Sequence, residues 1–136
     1  MSEWRRIASE KLPGLQKLIS NANSPIALWN QLSFELTRAY EQKPIDEKRV
    51  AAIYDYAYWC LTHPRNDDLN SAVCVCFYED LPTHPLVRRD LARWLSSEDF
   101  DGLQSIFAYH LDKKEQEAFV REFRERKKLL ASTKLR

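Results

Sequence analysis

The sequence predicts an all-α fold, a single domain of roughly six to eight helices packed as antiparallel hairpins in a short solenoid-like stack or an irregular bundle. Three observations point there. Apolar residues recur three and four positions apart through most of the 136 residues, the pattern of helices that each bury one stripe. Only two glycines, Gly14 and Gly102, occur, which leaves little material for left-handed hairpin turns, bulges or phosphate-cradling loops. The third is the segment Leu69–Leu81, LNSAVCVCFYEDL, which is apolar on two faces at once. Read at 100° per residue, Leu69, Ala72, Val73, Cys76 and Phe77 form one stripe, while Cys74, Val75, Tyr78 and Leu81 form a second. A helix of that kind needs cover on both sides, so it is expected in the middle of the stack, with the segments before and after it as covers.

The elements follow in order. Ser2–Lys11 sets Trp4, Ile7 and Ala8 on one side; Pro13-Gly14 interrupts, and Leu15, Leu18 and Ile19 resume the pattern, which fits two short helices or one broken one. Ser24-Pro25 is a helix start, a hydroxyl at the N-cap before a proline where no N–H is needed. Trp29, Leu32, Leu36, Ala39 and Tyr40 continue that helix to about Gln42. Lys43-Pro44 ends it, and Asp46 caps the next, whose stripe is Val50, Ile53, Tyr54, Ala57, Tyr58 and Leu61. That helix stops at His63-Pro64, after which Asn66, Asp67 and Asp68 offer acceptors and negative charge to the doubly apolar helix. A strand over Val73–Tyr78 is the rival reading there, but no second strand candidate exists to pair with it.

Leu81-Pro82 closes this element, and Thr83-His84-Pro85 opens a helix that carries Val87, Leu91, Trp94 and Leu95 inward. Ser96 or Ser97 caps a helix with Phe100, Leu103, Ile106 and Phe107, and Asp112 with Glu115 makes a capping-box start for the last helix, anchored by Phe119, Val120 and Phe123. Beyond Arg124 the stripe thins to Leu129 and Leu130, so the domain is expected to span 1–131, with 132–136 a frayed basic tail. LTHP at 61–64 and LPTHP at 81–85 both join helices; the spacing is short for a helical repeat and reads as reused turn chemistry.

Sixteen aromatic residues argue against disorder. Net charge is +1, with 21 basic and 20 acidic residues, so the whole molecule exerts no strong pull on nucleic acid or membranes. The charge is uneven: residues 121–136 carry a local +5, leaving −4 on the rest. The start carries no secretory h-region, and no apolar stretch approaches the ~20 residues of a membrane span. Three cysteines, with Cys74 and Cys76 too close to staple anything, suit a reducing cytoplasm.

Candidate chemistry is sparse. On a helix Cys74 and Cys76 point about 200° apart and cannot chelate one ion, and neither CxxC nor HxxxH occurs. No cofactor or metal is expected. Cys60, His63, His84 and His110 read as core thiol and turn or core-edge histidines rather than ligands. Glu79 and Asp80 stand near a helix C-terminus, where the macrodipole disfavours acids by roughly 0.3–1 kcal/mol. Either Arg88, Arg89 and Arg93 offset them internally, or they meet a cationic partner. On the helix from Pro85, Arg89 and Arg93 lie opposite Leu91 with Arg88 on a flank, a face able to grip carboxylate or phosphate bidentately or simply to be solvated.

The run NSAVCVCFYEDL over 70–81 resembles the central NxAVxVxFxExL-like helix of small uncharacterised bacterial all-helical proteins. The resemblance covers about a dozen residues. It implies a helix here and a partner-binding role, immunity-type functions included, and it carries no catalytic residue. The resulting expectation is a non-catalytic module for a protein partner, using Glu79, Asp80, Arg88, Arg89 and Arg93. The alternatives are nucleic-acid binding through Arg121, Arg124, Lys127 and Lys128, and an enzyme built on His63, His84 or His110 with a nearby acid. Oligomeric state is not specified by any of these features.

Overall fold

A computed structural model describes residues 2–63 and 66–134. Of the described residues 82% are helical, in nine α-helices and short 3₁₀ turns, with no strand among them. The fold is therefore all-α. It forms two compact units, Met1–Phe77 and Tyr78–Arg136.

The first unit holds α1 (Glu3–Lys11), α2 (Gln16–Asn21), α3 (Pro25–Glu41), α4 (Glu47–Thr62) and α5 (Asp67–Cys76). Pro13-Gly14 does split the first segment into two helices; Gly14 takes φ 87°, a conformation that costs a glycine little and an L side chain much. Three helix starts carry the expected side-chain caps. Ser24 Oγ accepts from Ala27 N (3.1 Å), Asp46 Oδ1 from Arg49 N (3.2 Å) and Asn66 Oδ1 from Leu69 N (3.0 Å). Helices α3, α4 and α5 pack on one another, and α1 lies on α4. Their core is aromatic: Trp29 stacks on Tyr56 (5.4 Å between ring centres, 12°) and meets Phe77 at 4.9 Å.

Two expectations change here. Tyr58 of α4 is half exposed, while Tyr56 and Cys60 are buried, because α4 has neighbours in α1, α3 and α5 and so buries more than one stripe. Helix α5 also ends at Cys76 instead of running to Leu81. Phe77 leaves the helix at φ −123°, ψ −71°, and Tyr78–Thr83 forms a 3₁₀ turn containing Pro82. The proline ring would clash with the carbonyl four residues back, at Tyr78, and has no N–H to offer it. The Ser33 hydroxyl takes the freed carbonyl of Cys76. Of the two predicted stripes, Leu69, Ala72, Val73, Cys76 and Phe77 are buried as a set; Val75 of the other is 56% exposed.

The second unit holds that 3₁₀ turn, α6 (Pro85–Asp90), a 3₁₀ turn at Leu91–Arg93, α7 (Ser97–Gly102), α8 (Gln104–Phe107), a 3₁₀ turn at Ala108–His110, and α9 (Lys113–Lys134). The helix expected from Pro85 to Leu95 shortens, and Trp94 sits half-buried with its indole N–H donating to Asp90 Oδ2 at 3.0 Å. The helix expected over 97–107 divides at Gly102-Leu103, where Leu103 N is shared between the carbonyls of Asp99 and Phe100, both at 3.1 Å. Ser96 is the N-cap (Asp99 N to Oγ, 3.0 Å), and Asp112 and Glu115 form a reciprocal capping box at 2.8 and 3.1 Å. Phe100, Phe107, Phe119 and Phe123 make the core, Phe100 stacking on Phe123 at 3.7 Å and 5°. Helix α9 continues past Arg124 to Lys134, so 132–134 of the expected tail are helical, and 135–136 lie outside the described residues.

Candidate functional site

In the second unit, the 3₁₀ turns at 78–83 and 108–110 pack against each other and against α8. Tyr78, Leu81 and Pro82 anchor the first turn in the core, while Asp80 is exposed and the Glu79 side chain is largely covered. Their internal partner is His110, not an arginine. Its Nε2 lies 3.0 Å from Glu79 Oε1 and 3.4 Å from Asp80 Oδ1. The two acids also stand in the 3₁₀ turn beyond α5, so the helix-end argument made for them from sequence does not hold.

The arginines have separate environments. Arg88 donates through Nε to Glu122 Oε2 at 3.0 Å, with its guanidinium 5.2 Å from the ring centre of Phe119. Arg93 pairs with Asp90 at 3.4 Å and lies over the Trp94 ring. Arg89 is exposed and has no partner among the described residues. An open groove of about 640 Å³ brings Arg88 and Arg89 of α6 together with His110, Arg126 and Glu122, and Pro82, Pro85 and Leu111 supply its apolar wall.

The electrostatics of this groove follow from which groups are already satisfied. Glu122 is taken by Arg88, and Glu115, also on the lining, accepts from Asp112 N. Both carboxylates are engaged internally. Arg89 and Arg126 have no partner among the described residues, and Arg88 uses only Nε, so its terminal NH₂ groups retain donor capacity. Donors are in excess over acceptors, which suits an oxyanion.

The cations proposed for nucleic acid lie elsewhere on α9. Arg124 pairs with Asp101 at 3.3 Å, and Lys127 Nζ stands 5.7 Å from the Phe123 ring centre. Arg121, Arg124 and Lys128 share a shallow face with Glu117 and Glu125. The histidines also have definite positions. His84 Nδ1 accepts from Val87 N at 3.4 Å as the N-cap of α6. His63 Nε2 lies 2.7 Å from Glu3 Oε1, with its ring against Trp59 at 4.8 Å. Neither His63 nor His110 shares a hydrogen bond with a hydroxyl or thiol among the described residues, nor is any group of three His, Cys, Asp or Glu arranged there to hold a metal ion.

Two titrations are displaced, both in the first unit's core. Burial pushes the Cys60 thiol up to about 12, against the weaker pull of Trp29 and Tyr56 toward its thiolate. Burial likewise raises the Tyr56 phenol, and the nearby Cys60 adds to it; the hydroxyl donates to Trp4 O at 2.9 Å. A thiol held protonated is a packing group and not a nucleophile.

Arg126 and the His110 clasp were missed from sequence. Arg126 lay within a recognised cationic run but carries no feature that distinguishes it from Arg124 or Lys128 until the helix face is known. Comparisons with protein families, curated proteins and solved structures return no match to this chain. No described helix is long and apolar enough to cross a membrane.

Proposed function

We propose that the chain is a non-catalytic protein-binding module of the cytoplasm that presents the groove of its second unit to a protein partner. One observation carries this reading. Arg89 and Arg126 line a groove whose own carboxylates are already engaged, so their donors are left for a group from outside the chain. The resemblance over 70–81 supports the same class of role, immunity-type binding included. Three cysteines, none of them in a disulfide and two of them buried, suit a reducing compartment.

The test is capture by the tagged full chain from its native lysate, with and without nuclease, read by mass spectrometry. The expected result is a stoichiometric protein partner that survives nuclease. Recovery abolished by nuclease would shift the role to the α9 cations, and an empty capture by folded chain would count against binding altogether.

A further inference from the structure

We infer that the groove's ligand is a short acidic peptide segment of the partner, its carboxylates paired with Arg89, Arg126 and the terminal NH₂ groups of Arg88. This rests on the protein-binding reading above. Three features of the second unit support it. The first is pre-organisation: Arg88 is held by Glu122 through Nε at 3.0 Å and against Phe119 at 5.2 Å, so its fork is fixed before any ligand arrives. The second is the balance of charge. Three guanidiniums face two carboxylates on the lining, enough to attract a few acidic side chains but a poor match for the dense charge of a nucleic-acid backbone. The third is the wall of Pro82, Pro85 and Leu111, which gives an apolar side chain between the acids a surface to cover. Planar forks and an apolar wall together suit a mixed acidic and aliphatic peptide.

The experiment uses the full chain and a fluorescein-labelled hexapeptide alternating Glu and Leu, read by anisotropy at low salt. Controls are the same peptide with Gln for Glu, inorganic phosphate as competitor, and a short DNA duplex. Saturable binding of the Glu peptide is expected. The Gln peptide should bind about tenfold or more weakly, the loss of at least one charge-assisted pair. The double variant Arg89→Glu/Arg126→Glu should lose a similar factor while keeping its helical circular dichroism, and Arg121→Glu/Lys128→Glu should stay within about twofold.

Equal affinity for the Gln peptide, preference for DNA, full displacement by phosphate below about 1 mM, or an unchanged double variant would overturn the assignment. Failure here is separable from failure of the wider reading. If Arg89→Glu/Arg126→Glu still captures the partner from lysate, the groove is wrong and protein binding stands; if the unmodified chain captures nothing, the wider reading has failed.

Discussion

Raising the pH should unfold this protein partly through one thiol, and the size of that effect can be worked from the structure. Cys60 is fully buried in α4, and burial lifts its thiol from an ordinary 9.0 to about 12. A raised value means that the folded state holds the proton more tightly than the unfolded chain. The associated stability is complete below pH 9 and is lost as pH climbs from 9 toward 12. Between pH 8 and pH 10.5 the unfolded thiol ionises while the folded one does not, which removes about 2 kcal/mol. The measurement is a difference against a chain without the thiol, which removes the contributions common to both. Urea unfolding of the native chain and of Cys60→Ala, both with reductant, would be followed at half-unit steps over that interval. Cys60→Ala should be less stable at pH 8 because of the cavity it leaves, yet its curve should fall less steeply by about 2 kcal/mol across the window. Parallel curves would refute the argument, since they would mean that the thiolate forms as easily inside the fold as outside it.

Three other perturbations test particular joints. Tyr56→Phe keeps the rings stacked on Trp29 and Trp59 but removes the hydroxyl bond to Trp4 O; a loss of about 1 kcal/mol in urea unfolding is expected, and no loss would show that bond to be idle. Phe100→Ala should cost roughly 3–5 kcal/mol by thermal or urea unfolding, because its ring contacts Phe107, Phe119 and Phe123 together in the second unit. Asp112→Ala should cost about 1 kcal/mol, and Glu115→Ala added to it should cost less than when made alone, since the two form one reciprocal box.

What was legible in the sequence was mostly the punctuation of helices. Ser24, Asp46, Asn66, Ser96 and Asp112 sit where a hydroxyl, amide or carboxylate faces unpaired N–H groups, a local relation that needs no knowledge of the fold. The mistakes fall where a distant residue decides. The 69–81 pattern is apolar on two faces, yet Pro82 and the Ser33 hydroxyl stop the helix at Cys76, and Ser33 lies far back in the chain. The candidate site shows the same dependence on distant residues. Acids at 79 and 80 and cations at 88, 89 and 93 are close in sequence and read as either offsetting one another or meeting a partner, whereas His110 takes both acids and Glu122 takes Arg88 from other elements. Spacing reports which side chains share a helix face; it does not report which face another helix will meet.

The way helices finish in the first unit has a consequence for its motions. Asn70 of α5 donates through Nδ2 to the carbonyls of Cys60 (2.5 Å), Leu61 (3.3 Å) and His63 (3.1 Å), so the last turn of α4 is closed by its neighbour, and the last turn of α5 is closed in turn by Ser33 of α3. Helix ends ordinarily fray one turn at a time and exchange their amide hydrogens early. Here opening the end of α4 breaks contacts that hold α5, and opening the end of α5 breaks one that holds α3. Amide hydrogens at these ends should exchange nearly as slowly as those mid-helix, and an excised α4 or α5 peptide would lose the partner that sets where it stops.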